Sequence, residues 1–214
     1  MISRRILLAA LAGASLAGCN TVAQRPVVAV EDSSAWYAGS IPDKPYSIPL
    51  VDRRRLSPEA FGQLVAYQGS ERSGTIVVDI DDRFLYLVQG GGTAIRYGIG
   101  VGKRGYSWKG AAYVGRKAVW PAWSPTTVMV SLNRTLPRFR KGGLDNPLGA
   151  RALYLYQNGR DILFRIHGTN EPWTIGEQVS SGCIRMLNED VLDLFERAPV
   201  GTPVLVRRTG QRRA

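Results

Sequence analysis

From Gly74 to Arg207 the chain is a succession of short apolar runs, each cut off by glycine, asparagine or aspartate, and this punctuation constrains the fold more than any other feature. The runs fall at 75–80, 84–88, 93–99, 113–119, 153–156, 162–166 and 204–207. Asp81-Asp82 and Gly90-Gly91-Gly92 separate the first three. Asn158-Gly159 is a strong two-residue hairpin signal, because both positions favour the positive φ that such a turn requires. Many short strands with turns between them predict a mostly β domain, sandwich-like or barrel-like. One helical pattern interrupts the series. Leu187, Val191, Leu194 and Phe195 share a face, Asn188 is placed as N-cap, Glu189 and Asp190 load the first turn, and Pro199 and Gly201 end it. This helix is expected to pack behind the loop at 180–183.

That loop belongs to a second informative stretch, His167 to Met186, reading HGTNEPWTIGEQVSSGCIRM. It contains the only histidine of the chain and one of its two cysteines, Cys183. A thiol needs a nearby base to be a good nucleophile at neutral pH, and one imidazole is available. The run before His167 would deliver it at the C-terminal end of a strand. Ser180-Ser181-Gly182 reads as a tight turn, and Gly182 would let backbone N–H groups approach a reacting carbonyl as an oxyanion hole requires. The competing reading makes His167 a hydrogen-bonded core histidine and Cys183 a small buried apolar residue. A metal centre fails by counting, since zinc sites take three or four His/Cys-type ligands and this stretch has one of each.

The stretch resembles the signature of the L,D-transpeptidase (YkuD) catalytic domain. The matching residues are His167-Gly168-Thr169-Asn170, then Ser180, Gly182, Cys183, Ile184, Arg185 and Met186. Ser181 stands where that family usually has a second histidine. The resemblance covers about 74–206. It implies a thiol acyl-transfer enzyme acting on peptidoglycan stem tetrapeptides without metal or cofactor. Cys183 would be the nucleophile and His167 the base. A backbone carbonyl at Gly168 would orient the imidazole, and backbone groups at Gly182, with Ser181 beside them, would form the oxyanion side. Arg185, Asn170 and Trp173 are the candidate substrate contacts, with Arg185 suited to a substrate carboxylate by the fork geometry of guanidinium. An L,D-carboxypeptidase using water, and a wall-binding lipoprotein without chemistry, are the alternatives.

The N-terminus sets the compartment. Arg4 and Arg5 precede an apolar stretch at 6–17 that is too short to span a bilayer, and Leu16-Ala17-Gly18-Cys19 resembles a lipobox. Residues 1–19 thus read as a lipoprotein signal peptide, with Cys19 as the lipidated residue. A plain secretory signal is the alternative. The expected site is the periplasm, on a membrane through the N-terminal lipid, the outer one favoured by Asn20. With Cys19 acylated, Cys183 has no partner for a disulfide, which suits a nucleophile more than a staple. The formal charge is +11, leaving +9 without Arg4 and Arg5. Export removes nucleic acid as the counter-charge and leaves lipid headgroups, wall polymers and wall-peptide carboxylates. An envelope protein is a possible acyl acceptor.

Residues 20–73, with five prolines and little periodicity, read as a tether and arm. Ser57-Pro58 could open a short helix packed through Phe61, Leu64 and Val65. The catalytic domain is expected at 74–207 and a solvated basic tail at 208–214. Residues 120–146 mix aromatics with prolines and glycines and read as a loop covering a groove, or as a satellite core.

Overall fold

The computed structural model describes residues 33–102, 108–180 and 182–209. The strands are β1 (Tyr37–Ile41), β2 (Ile48–Val51), β3 (Gln63–Ala66), β4 (Ile76–Asp79), β5 (Phe84–Gly90), β6 (Thr93–Gly98), β7 (Val101–Gly102), β8 (Gly110–Val119), β9 (Arg151–Gln157), β10 (Arg160–His167), β11 (Gln178–Ser180), β12 (Ile184–Arg185) and β13 (Pro203–Arg207). Two helices accompany them, α1 (Thr127–Leu132) and α2 (Asn188–Arg197).

Nine strands form one mixed sheet in the order β12-β10-β9-β8-β13-β4-β5-β6-β3. Its ends, β12 and β3, are edges, so the mostly β expectation holds but the sheet is not a closed barrel. The turn chemistry acts as the sequence suggests. Asn158 and Gly159 both have positive φ and return β9 into β10, pairing Gln157 with Arg160. Alternation then assigns the faces. In β4, Ile76 and Val78 join the main apolar cluster, while Val77 packs on the other face with Tyr67, Val88 and Ala94.

The helix pattern at 187–195 is observed as α2, whose Val191 and Leu194 are buried in that main cluster. Its capping differs from expectation. Leu187 occupies the N-cap position without a side-chain cap, and Asn188 is already the first helical residue. The Asn188 amide turns instead toward the chain at 149–169.

Residues from Ser33 also depart from the arm reading. β1 and β2 pair as a hairpin, and Ile48 is fully buried against Trp120 and Ala150. Asp43 makes two hydrogen bonds of 2.9 Å to Arg151 and accepts one of 2.8 Å from Trp120 Nε1. The Ser57-Pro58 segment is a single 3-10 turn, Pro58–Ala60, and Ser57 makes no capping bond. Phe61 is buried as predicted, but Leu64 and Val65 belong to β3, where Leu64 is 69% exposed. Prolines suppressed the strand signal here, while β6 supplied a partner that local sequence does not reveal.

Candidate active site

The site forms where β10 and β12 run parallel. Ile166 pairs with Ile184 and His167 with Arg185, so the chain leaves β10 at His167 and re-enters immediately after Cys183. Met186 N donates to His167 O at 2.8 Å. On its other side Arg185 exchanges backbone bonds of 2.8 and 2.9 Å with Gly100, and β11 pairs in parallel with β7. Both ends of the intervening segment are thereby tied to strands. Gly182 has φ +129°, a conformation costly for any side chain, which is why the turn before the thiol carries glycine. Ser181 lies outside the described residues, as do Cys19 and the signal segment.

His167 and Cys183 line one cavity of about 570 Å³, together with Gly182 and Arg185. His167 is buried, and its Nδ1 lies 2.6 Å from Gly168 O. A carbonyl can only accept, so Nδ1 carries the proton and Nε2 holds the free lone pair. Burial pushes the imidazole down to about 3, against the pull of that hydrogen bond. Burial also pushes the Cys183 thiol up, with Arg165 and Arg185 offsetting part of the rise. Thiol and imidazole in this cavity therefore both rest neutral, the protonation states from which general-base transfer starts.

The loop after His167 is held by Asn188. Its Oδ1 accepts from Ala150 N at 3.0 Å and Thr169 N at 3.2 Å, and its Nδ2 donates to Thr169 O at 2.7 Å. Gly149 and Gly168 make room for it, since a Cβ on either would sit 2.2 Å from Asn188 Oδ1. Sequence reasoning missed this residue because an asparagine at a helix start reads locally as a cap.

Of the expected substrate contacts, only Arg185 lines the cavity, and it is already engaged: Nη1 lies 2.6 Å from Glu171 Oε2 and 3.3 Å from Thr174 Oγ1. Trp173 packs against Trp36 with ring centroids 5.7 Å apart and planes tilted by 57°, and Asn170 Nδ2 donates to Asp145 O at 3.4 Å; neither lines the cavity. Residues 120–146 serve both purposes read from them. Trp120 packs in a satellite core with Ile48 and Ala150, while Trp123, Thr126 and Met129 wall the cavity. Among the described residues no cluster of three or more His, Cys, Asp or Glu is placed to hold a metal ion.

Comparison with known proteins adds an independent line. The chain is 40% identical over 139 residues to the probable L,D-transpeptidase YbiS of Escherichia coli (strain K12), covering 61% of this chain and 43% of that protein. It is 34% identical over 198 residues to the probable L,D-transpeptidase ErfK/SrfK of Salmonella typhimurium (strain LT2), covering 86% and 61%. The chain thus spans about half the length of these curated relatives. A crystal structure described as a probable carnitine operon oxidoreductase from Brucella melitensis is 45% identical, over 71% of this chain and 96% of its own, with a TM-score of 0.49. That name speaks of another reaction, and at that TM-score the likeness carries no weight here. The model of the L,D-transpeptidase catalytic domain matches residues 73–206, well over half of the sequence and all of the sheet from β4 to the end of β12, and on that match the chain belongs to the YkuD family of L,D-transpeptidase catalytic domains.

Proposed function

We propose that this chain is a cysteine-dependent L,D-transpeptidase of the cell envelope. In this reading Cys183 Sγ attacks the carbonyl of the third residue of a peptidoglycan stem tetrapeptide as His167 Nε2 takes its proton. The C–N bond to the terminal D-alanine breaks, and the imidazolium returns the proton to the leaving amine. The resulting thioester is resolved by an amine acceptor, either another stem peptide or an envelope protein. Backbone N–H groups at Gly182 and Cys183 face the developing oxyanion. An N-terminal lipid on Cys19 holds the enzyme to the membrane on the periplasmic side.

The observation that carries the chemistry is that the sole imidazole and Cys183 line one cavity, with the imidazole proton fixed on Nδ1 by Gly168 O. The test is intact-mass spectrometry of purified protein with tetrapeptide and an acceptor amine. A transient adduct equal to the tripeptide acyl group is expected on wild type. Cys183→Ala should form none and should melt within a few degrees of wild type. Turnover persisting in that variant would remove the thiol from the mechanism.

A further inference from the structure

The chain carries its surplus charge in one part of the sequence. Of 28 lysines and arginines, 11 fall between Arg83 and Leu144, where there is no aspartate or glutamate, and the other 17 balance the 17 acids of the chain. Three of the eleven are engaged by the fold: Arg96 lies over the ring of Phe84, Arg116 over Tyr154 and Lys117 over Phe195. The densest group sits in the loop from α1 to β9, where Arg134, Arg138, Arg140 and Lys141 are all exposed. Among the described residues none of these four forms an ion pair. Asp145 is the one acid of the loop.

The same loop holds apolar side chains in water. Phe139 is 63% exposed and Leu144 50%. Slack chain does not account for this, because the backbone around them is fastened. Arg140 exchanges two backbone hydrogen bonds of 2.8 Å with Trp123. Asn146 Nδ2 donates to Lys141 O at 2.9 Å and to Pro121 O at 3.0 Å, and Tyr46 OH donates to Gly142 O at 3.0 Å. Gly142 has no room for a side chain, since a Cβ there would lie 2.0 Å from Trp120 O. A fixed loop that shows a phenyl ring to solvent forgoes the gain of burying it, and four cations beside it repel one another. One kind of surface relieves both, apolar within and anionic at its boundary.

We propose that the loop at 134–144 docks on an anionic phospholipid surface, with Phe139 and Leu144 entering the acyl boundary and the four cations among the headgroup phosphates. Arginine and lysine have stems long enough to keep their charges at headgroup level while a neighbouring ring goes deeper. A soluble polyanion would satisfy the cations but leave Phe139 and Leu144 in water, so the bilayer is the better match. None of the six residues lines the cavity of His167 and Cys183, and the contact depends neither on the acyl-transfer reading nor on a lipid at Cys19. It does bear on both. Trp123, bonded to Arg140, walls that cavity, so a docked loop would hold the cavity mouth close to the membrane surface.

The test is co-sedimentation of the full chain carrying Cys19→Ser, which removes the acylated thiol, with vesicles of equal parts phosphatidylcholine and phosphatidylglycerol or of phosphatidylcholine alone. Binding to the mixed vesicles should be tighter by about tenfold or more and should weaken as salt rises. Arg138→Gln with Lys141→Gln should weaken it about 25-fold, at roughly fivefold per cation near an anionic surface. Arg72→Gln with Arg160→Gln removes the same charge from exposed positions outside the loop and should cost no more than about twofold. Phe139→Ser should cost about tenfold, and Phe139→Trp should keep the affinity, because an indole also suits the lipid interface. The signal segment is common to all variants and cancels between them, and melting temperatures confirm that each is folded. Equal affinity for the two kinds of vesicle would overturn the proposal. So would equal losses from the two double variants, which would make net charge the cause. Undiminished binding by Phe139→Ser, to mixed vesicles and to inorganic polyphosphate alike, would make the loop a polyanion site and refute the lipid contact.

Discussion

The imidazole of His167 is committed by a single contact: with Nδ1 bound to Gly168 O, only Nε2 can take a proton. His167→Ala is therefore expected to lower kcat/KM at least about a hundredfold, the lower end for loss of a general base. The pH dependence is a sharper test. A histidine pushed down to about 3 stays neutral through the range where a peptide histidine titrates, and the raised Cys183 thiol stays protonated. The acid limb of kcat/KM should consequently fall below about pH 5, with no break near 6.5. A break near 6.5 would mean that the ring is solvated. The same depression makes His167 stabilise the fold above pH 6.5, and that contribution is lost as pH falls toward 3. At this scale the sequence was informative because a lone base and a thiol share one short window. It was silent on Arg116, Tyr154 and Arg165 of the same cavity, which are up to 49 positions apart and meet only through cross-strand register.

Helix α2 is the element on which the site leans, and it does so through its first turn. Asn188→Ala would leave two N–H groups and one carbonyl without partners in a buried place, a loss of at least about 3 kcal/mol at roughly 1 to 3 per orphaned group. Thermal melting should register it, and kcat should fall in protein that remains folded because Thr169, next to Gly168, loses its anchor. Asp190 sits two residues on, pushed up to about 7 by burial and then by Glu189 beside it, with Oδ1 accepting from Gly62 N at 3.2 Å. The folded chain keeps a proton here that the unfolded chain releases near 3.8. This group's contribution to stability therefore falls as pH rises from about 4 to about 7. Asp190→Asn keeps the oxygen that faces Gly62 and should flatten that slope, raising the melting temperature at pH 8 relative to pH 5. An unchanged slope would place the titration elsewhere. The helix itself was legible from four apolar positions at helical spacing. What its polar first turn does was not, because the partners at Gly62, Ala150 and Thr169 are distant in sequence.

For the molecule as a whole, turns and alternation were enough to predict a β domain with one packed helix. They were not enough to give the strand order, which is decided by pairing between distant segments such as β13 with β4. Where the protein resides is tested through the lipid: wild type is expected in the membrane fraction and Cys19→Ser in the soluble one, and identical soluble distributions would refute the anchor. The hairpin β1–β2 and strand β3 have a practical meaning as well. They lie before the matched region at 73–206, yet β3 covers the edge of β6 and Ile48 fills the space against Trp120 and Ala150. A chain cut at Gly74 would carry a bare strand flank and an uncovered indole, a template for self-association. By light scattering it should form particles that grow with concentration, while a chain beginning at Ser33 stays the size of one copy.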